Sequence, residues 1–441
     1  MPERYHDLRQ VKGYQTHIDV DNGVVESTGT SFFDETVIRA LGPKGWGVVI
    51  LDSFDPDAGN MEHAIEEASA LALMTQEEIT LAPVEYGGLP VPPLTEDPVN
   101  VDIEEKIHLL LAVEKAAKRA EVKNTRATYM ERNEEVRFLD LSGNDEHYQV
   151  TRCGFSVMAV AARGDVMQMA RESHHTIRGF NLRHQSEQGD KAGCLAVALL
   201  DAVPARGGRQ RVVLDPELGG VFAHEAVGHA SEGDLIKEGN SVLQGRIGEK
   251  IGNATLTIVD DPTLPEFGFE PVDAEGARVH RTEIIRNGNV HAYLHSRETA
   301  AAVGYGTPGH ARAMSGDIPQ VRMSNTFIEE GDASFEEILA ECRDGVLLIG
   351  SRGGQVDPGK GVFLFNAEYG YLIKGGECAD MLRDVSLSGE ILSTLHTIYL
   401  IGSERKMHQG YCGKGGQSVP VSDGAPYLLL QDAVVGGSES E

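Results

Sequence analysis

The chain opens on alternating polar and apolar positions. His17-Ile18-Asp19-Val20 runs into Asp21-Asn22-Gly23-Val24-Val25. An Asn-Gly pair between alternating segments is a strong two-residue hairpin signal, because both central residues must take positive φ. Gly45-Trp46-Gly47-Val48-Val49-Ile50-Leu51 is a short apolar run of strand type. From Met61 to Met74 the spacing lengthens, with Ile65, Ala68 and Ala72 on one face, which predicts a helix.

Periodicity stops between Pro83 and Pro98, where five prolines and two glycines fall. Proline removes backbone donors and restricts its neighbours, so this stretch reads as a linker. A second helical pattern runs from Ile103 to Val122, with Ile107, Leu110, Leu111 and Val113 on its buried side. Strand-like pieces follow at Glu135–Leu139 and Ser156–Val160, and Gly207-Gly208 breaks the pattern.

From Arg211 onward the chain is glycine-rich and mostly strand-like. One helix is expected near Asp332–Cys342, a second Asn-Gly hairpin at Asn287-Gly288, and interior strands at Val346–Ile349 and Gly361–Phe365. The tail from Gly436 to Glu441 reads as frayed, and no internal repeat is visible. The expected domains are an N-terminal α+β domain (1–80), a Pro-rich linker (81–100), a middle α+β domain (101–210) and a β-rich C-terminal domain (211–441).

Composition narrows the function classes. The 441 residues carry 39 Lys+Arg against 68 Asp+Glu, a formal charge of −29. Nucleic acid and anionic membrane surfaces both require clustered basic residues, so neither is an expected partner. No apolar run approaches the roughly 18 residues of a spanning helix. The polar start Met1-Pro2-Glu3-Arg4-Tyr5-His6-Asp7 lacks a secretory core. Five scattered cysteines do not make a disulfide framework. A cytoplasmic location is expected.

The candidate chemistry lies in His224-Glu225-Ala226-Val227-Gly228-His229, followed by Glu232-Gly233-Asp234. In the zincin signature His-Glu-x-x-His, two imidazoles at i and i+4 share one helix face and the Glu acts as base. Here the second His is at i+5. At ~100° per residue, those positions lie roughly 140° apart on a regular α-helix and could not share an ion. A π-bulge absorbs the added residue and restores one face; Gly228 is a natural place for it. Zinc in a catalytic site takes three protein ligands. The third is either Glu232 or a distant residue, with Cys412 in Tyr411-Cys412-Gly413-Lys414-Gly415-Gly416-Gln417-Ser418-Val419-Pro420 favoured. A thiolate suits zinc, and flanking glycines would let backbone pack closely around a site.

The His224–His229 segment resembles the signature of the TldD/PmbA family of metallopeptidases, and so does the block from Cys412 to Val421. Arg322-Met323-Ser324-Asn325-Thr326-Phe327 and Gly353-Gly354-Gln355-Val356-Asp357-Pro358 match further blocks in the same order. The family pairs a catalytic member with a subunit lacking the metal motif; retention of both histidines, the Glu and the Cys resembles the catalytic TldD type. The resemblance implies one Zn2+ per chain held by His224, His229 and Cys412, with Glu225 as catalytic carboxylate. It also implies extended, unfolded peptide as substrate and a dimer, either of identical chains or with a metal-free paralogue. Arg322 and Asn325 are substrate-contact candidates through their block alone. Gly309-His310-Ala311-Arg312 departs from the family pattern, which leaves that loop without an assigned role. The alternative is a non-catalytic peptide-binding or scaffold subunit. The expected fold class is α+β: N-terminal and middle α/β-type regions, then a β-rich C-terminal domain carrying the metal-binding helix.

Other signals weigh less. Gly354–Gly361 nearly matches a phosphate loop but lacks the magnesium-binding hydroxyl and precedes a strand. His174-His175 with His184, and the pair His291 and His295, read as solvated polar or strand residues. Cys342 and Cys378 read as buried and inert.

Overall fold

The computed structural model describes residues 5–437. Strands β1 (Tyr5–Asp21), β2 (Val24–Gly42) and β3 (Gly45–Asp52) precede helices α1 (Met61–Ala72) and α2 (Ile103–Ala116). Then come β4 (Val122–Asp140), β5 (Asp145–Arg163), β6 (Val166–Thr176) and helix α3 (Ser186–Ala198). The six strands form one antiparallel sheet in the order β3-β2-β1-β4-β5-β6. Asn22 (φ 49°) and Gly23 (φ 84°) make the expected tight turn between β1 and β2.

The expected division between residues 1–80 and 101–210 runs through this sheet. β1 pairs with β4 from Asp7↔Asp140 to Asp21↔Arg126. The intervening Pro-rich segment is irregular, but it is strapped to the rest of the chain: Leu89 N donates to Pro271 O (2.9 Å) and Arg278 N to Glu85 O (2.8 Å). Leu89 and Val91 pack on Ile177, Phe267 and Phe269.

Helix α2 ends at Ala116, short of the expected Val122, because Val122 already pairs with Ala161 in the sheet. Its buried side carries Leu110 and Val113, with Ile107 and Leu111 only partly covered. Helix α3 lies against α2 at a glycine: a Cβ on Gly189 would come within 1.9 Å of Val113 O.

From residue 203 onward the chain folds into three further sheets, of ten, six and two strands. One continuous core joins Val212, Leu214, Phe222, Met323, Cys412 and Leu430. Helix Phe335–Cys342 and the Asn287-Gly288 turn form as predicted. Val346–Ile349 is a buried strand, whereas Val362–Asn366 is not interior. Phe363 and Phe365 point inward there, while Val362 and Leu364 are 41% and 45% exposed. The near phosphate loop is the strand Gly354–Asp357 together with the turn that joins it to its antiparallel partner Val362–Asn366. Gly436 pairs with Ser386; the rest of the predicted frayed tail beyond residue 437 lies outside the described residues. All five cysteines are free; Cys342 is buried, but Cys378 is exposed. Among the described residues, no helix is long and apolar enough to cross a membrane.

Candidate metal centre

Helix α4 (Pro216–Phe222) starts at Asp215, whose carboxylate accepts from Leu218 N at 2.9 Å. Proline at the first helical position costs no hydrogen bond there. The helix then widens into a π-helical turn, Ala223–Gly228, and tightens to a 3-10 turn, His229–Ser231. His229 N–H donates to His224 O, five residues back. This is the distortion the i+5 spacing requires. The two rings consequently come together edge to face, with centroids 5.3 Å apart and planes at 88°.

Cys412 comes from the hairpin of strands Lys406–Lys414 and Gln417–Ala425, opposite Val419. Its Sγ lies 3.4 Å from His229 Nε2. One donor atom from each of His224, His229 and Cys412 falls within 4.8 Å of the others. All three residues are buried, and His224 Nδ1 has no hydrogen-bond partner. Two imidazoles, one of them with an unpartnered buried nitrogen, and a thiolate make a donor set that a zinc ion fits.

Electrostatics favour the ligating form of the cysteine. Burial alone would raise its pKa, but the His224 and His229 rings overcome that and bring it down to about 4. Burial pulls both histidines down, and Cys412, with Glu232 on the His229 side, brings them above their ordinary value.

The alternative third ligand, Glu232, is placed differently. It is fully buried and meets His229 at Nδ1, 3.1 Å away, on the far side of the ring from the thiol. Lys414 Nζ holds the same Glu232 oxygen at 3.0 Å and Asp234 at 2.6 Å. Burial raises the Glu232 carboxyl; His229 and Lys414 more than offset it. Glu225 has its Oε2 3.8 Å from His229 Nε2, and its side chain is 29% exposed. It borders the donor set from the open side.

Arg322 and Asn325 belong to the support of this centre rather than its surface. Both are 0% exposed. Arg322 Nη2 donates to Cys412 O, and Asn325 bridges Gly268 N and Asp261 O (3.0 and 2.8 Å). Asn325 opens a buried strand, Asn325–Ile328, that runs parallel to Gln417–Ala425, and Arg322 lies just before it. Two further charged residues that the sequence did not single out border the centre, Lys414 and Asp423. Burial, with Glu225 and Cys412 nearby, pushes the Asp423 carboxyl up to about 7. Lys414 stood two residues from Cys412; Asp423 carried no spacing signal.

Profiles of known families match the chain in three consecutive pieces. These are PmbA/TldA metallopeptidase domain 1 over residues 6–72, the central domain over 96–200 and the C-terminal domain over 207–437.

The chain belongs to the TldD/PmbA metallopeptidase family.

Within the family, a metalloprotease of Archaeoglobus fulgidus is 40% identical over 436 residues, covering 99% of this chain and 100% of that one. A metalloprotease of Methanothermobacter thermautotrophicus is 44% identical over 344 residues, 77% of this chain and 76% of the relative. A zinc metalloprotease TldD homolog of Saccharolobus solfataricus is 32% identical over 287 residues, 64% of each. Among solved structures, TldE from Thermococcus kodakarensis shares the fold at a TM-score of 0.79 and 20% identity, over 99% of this chain and 97% of that one. A Thermotoga maritima chain does so at 0.82 and 21%, over 98% and 96%.

Proposed function

We propose that this chain is a zinc-dependent peptidase of the TldD type that hydrolyses peptide bonds in unfolded proteins or small peptides. The observation that carries the reading is the convergence of His224, His229 and Cys412 beside the accessible carboxylate of Glu225. The name of the Saccharolobus solfataricus relative supports zinc.

His224, His229 and Cys412 would hold the ion, which when bound supplies Lewis-acid polarisation of a carbonyl and a more acidic water. The protein's own contribution is proton transfer and orientation. Glu225 takes the proton of the attacking water at its carboxylate and returns it to the leaving amine. Glu232 fixes the His229 ring by accepting from Nδ1, so that Nε2 stays turned toward Cys412. The strand carrying Cys412 ends its sheet. An extended peptide can add to such an edge through main-chain hydrogen bonds and so reach Glu225. A dimer, of identical chains or with a metal-free paralogue, and a cytoplasmic location complete the reading.

The test is zinc per chain by elemental mass spectrometry, beside hydrolysis of an unstructured peptide, for wild type and Cys412→Ser. The expected result is one zinc and turnover in wild type, with both lost in the variant. A wild type that binds no added zinc overturns the reading.

A further inference from the structure

A second region of interest borders the metal centre through the Cys412 hairpin, whose Tyr411 and Val419 line it. A cavity of about 260 Å3 opens between the N-terminal sheet and the C-terminal region. None of His224, Glu225, His229 or Cys412 lines it. In a chain with a net charge of −29, its charged lining is Arg9, Arg132, Arg152 and Arg312 against Glu134 and Glu270. The cavity therefore carries a positive excess where the protein as a whole is strongly negative.

The two glutamates are already engaged. Glu134 receives Arg132 at 2.9 Å and Arg152 at 3.4 Å. Glu270 receives Arg152 at 3.2 Å and Arg312 at 2.7 Å. Arg9 makes no direct carboxylate contact among the described residues, though its charge reaches Glu134; its hydrogen bonds there go to the carbonyls of Met314 (3.0 Å) and Ala313 (3.1 Å). Arg9 and Arg312 each keep a buried Nε–H with no partner, and Arg312 as a whole is 4% exposed. The Nε atoms are themselves covered, so an anion in the cavity would meet these guanidiniums through their Nη groups. Met130, Val150 and Pro420 supply apolar wall. The volume falls below the roughly 300–1,000 Å3 of pockets for drug-sized ligands.

We propose that this cavity is a binding site for a carboxylate with an apolar body, of amino-acid to dipeptide size, its carboxyl group taken by Arg9 and Arg312. This gives the divergent Gly309–Arg312 loop its role: it delivers Arg312 to the cavity. The site stands on its own geometry, independently of peptidase activity at the metal.

The test is calorimetric titration of the full-length protein with N-acetyl-leucine and with its neutral counterpart N-acetyl-leucinamide, each with zinc and with EDTA. Variants are Arg9→Gln, which removes the lining arginine that makes no direct carboxylate contact among the described residues, and Ala313→Leu, which fills space at the lining while leaving every arginine in place. The acid is expected to bind about tenfold or more tighter than the amide, equally with and without EDTA, and about tenfold weaker to Arg9→Gln. Ala313→Leu should weaken it too. Equal binding of acid and amide, or no binding of either, overturns the proposal. So does acid binding that EDTA abolishes and Ala313→Leu leaves untouched, since that places the carboxylate on the metal. Acetyl-Gly-Gly-Leu, titrated in EDTA, separates the sources: retained affinity identifies a peptide C-terminus as the ligand, and lost affinity a free small acid.

Discussion

Glu232 accepts from His229 Nδ1 at 3.1 Å with no part of its carboxylate reaching solvent. A buried carboxylate behind a ligating imidazole fixes the tautomer and the ring plane, and makes the opposite nitrogen a better ligand. Glu232→Gln keeps the shape and removes the charge. It should weaken zinc binding about 10- to 100-fold, measured by competition with a chromophoric chelator. A variant that holds zinc as tightly as wild type would remove this carboxylate from the metal's support.

Glu225 and Glu232 should separate cleanly by readout. Glu225 lies 3.8 Å from His229 Nε2 with its side chain 29% exposed, on the side a substrate can reach. Glu225→Gln should leave zinc content and thermal stability close to wild type while kcat falls at least about 100-fold, the loss typical of a removed general base. A fully active Glu225→Gln enzyme would assign proton transfer elsewhere, with Asp423 the first residue to examine.

Much of this centre was legible in the residues, and the reasons differ from place to place. The His224–His229 spacing demanded a π turn on helix geometry alone, and the backbone provides it. Arg322 and Asn325 were read as substrate contacts because their block stood out, but a sequence does not show which side of a strand is covered. Both are fully buried, Asn325 in the strand between Ile258–Asp260 and Gln417–Ala425. The shared N-terminal sheet was equally hidden, since the β1–β4 pairing joins segments more than a hundred residues apart. Helix α2 was overextended because Ala, Lys and Glu after Ala116 are good helix formers locally; sheet pairing at Val122 overrides that preference.

Stability should fall on the acid side through buried neutral histidines. His295 was read as an exposed strand residue, yet it is 0% exposed, and burial pushes it down to about 4. A histidine with a depressed folded pKa contributes stability that is present in full above its unfolded value. That contribution is lost as pH drops from about 6.5 toward 4, because the unfolded chain takes the proton first. His175 and His408, also near 4 through burial, act in the same direction. Between pH 7 and pH 5 the urea midpoint of wild type should therefore fall relative to that of His295→Gln. Parallel slopes for the two proteins would show that His295 is not among the groups responsible.

The metal helix and the cysteine hairpin are held in register by glycines, but not by the ones beside the cysteine. A Cβ on Gly220 would meet Gly424 N at 2.5 Å and Asp423 Oδ1 at 2.6 Å, so helix α4 touches the Gln417–Ala425 strand backbone there. A Cβ on Gly413, next to Cys412, meets nothing within 4 Å. Gly220→Ala must therefore push the helix bearing His224 away from the hairpin bearing Cys412. The expected cost is about 1–3 kcal/mol of stability from overpacking, together with weaker zinc binding. Gly413→Ala should change stability by no more than about 0.5 kcal/mol despite its proximity to the thiolate. Chemical denaturation and zinc competition on the two variants check this. If Gly413→Ala were the damaging substitution, the close approach would lie at the hairpin rather than at the helix.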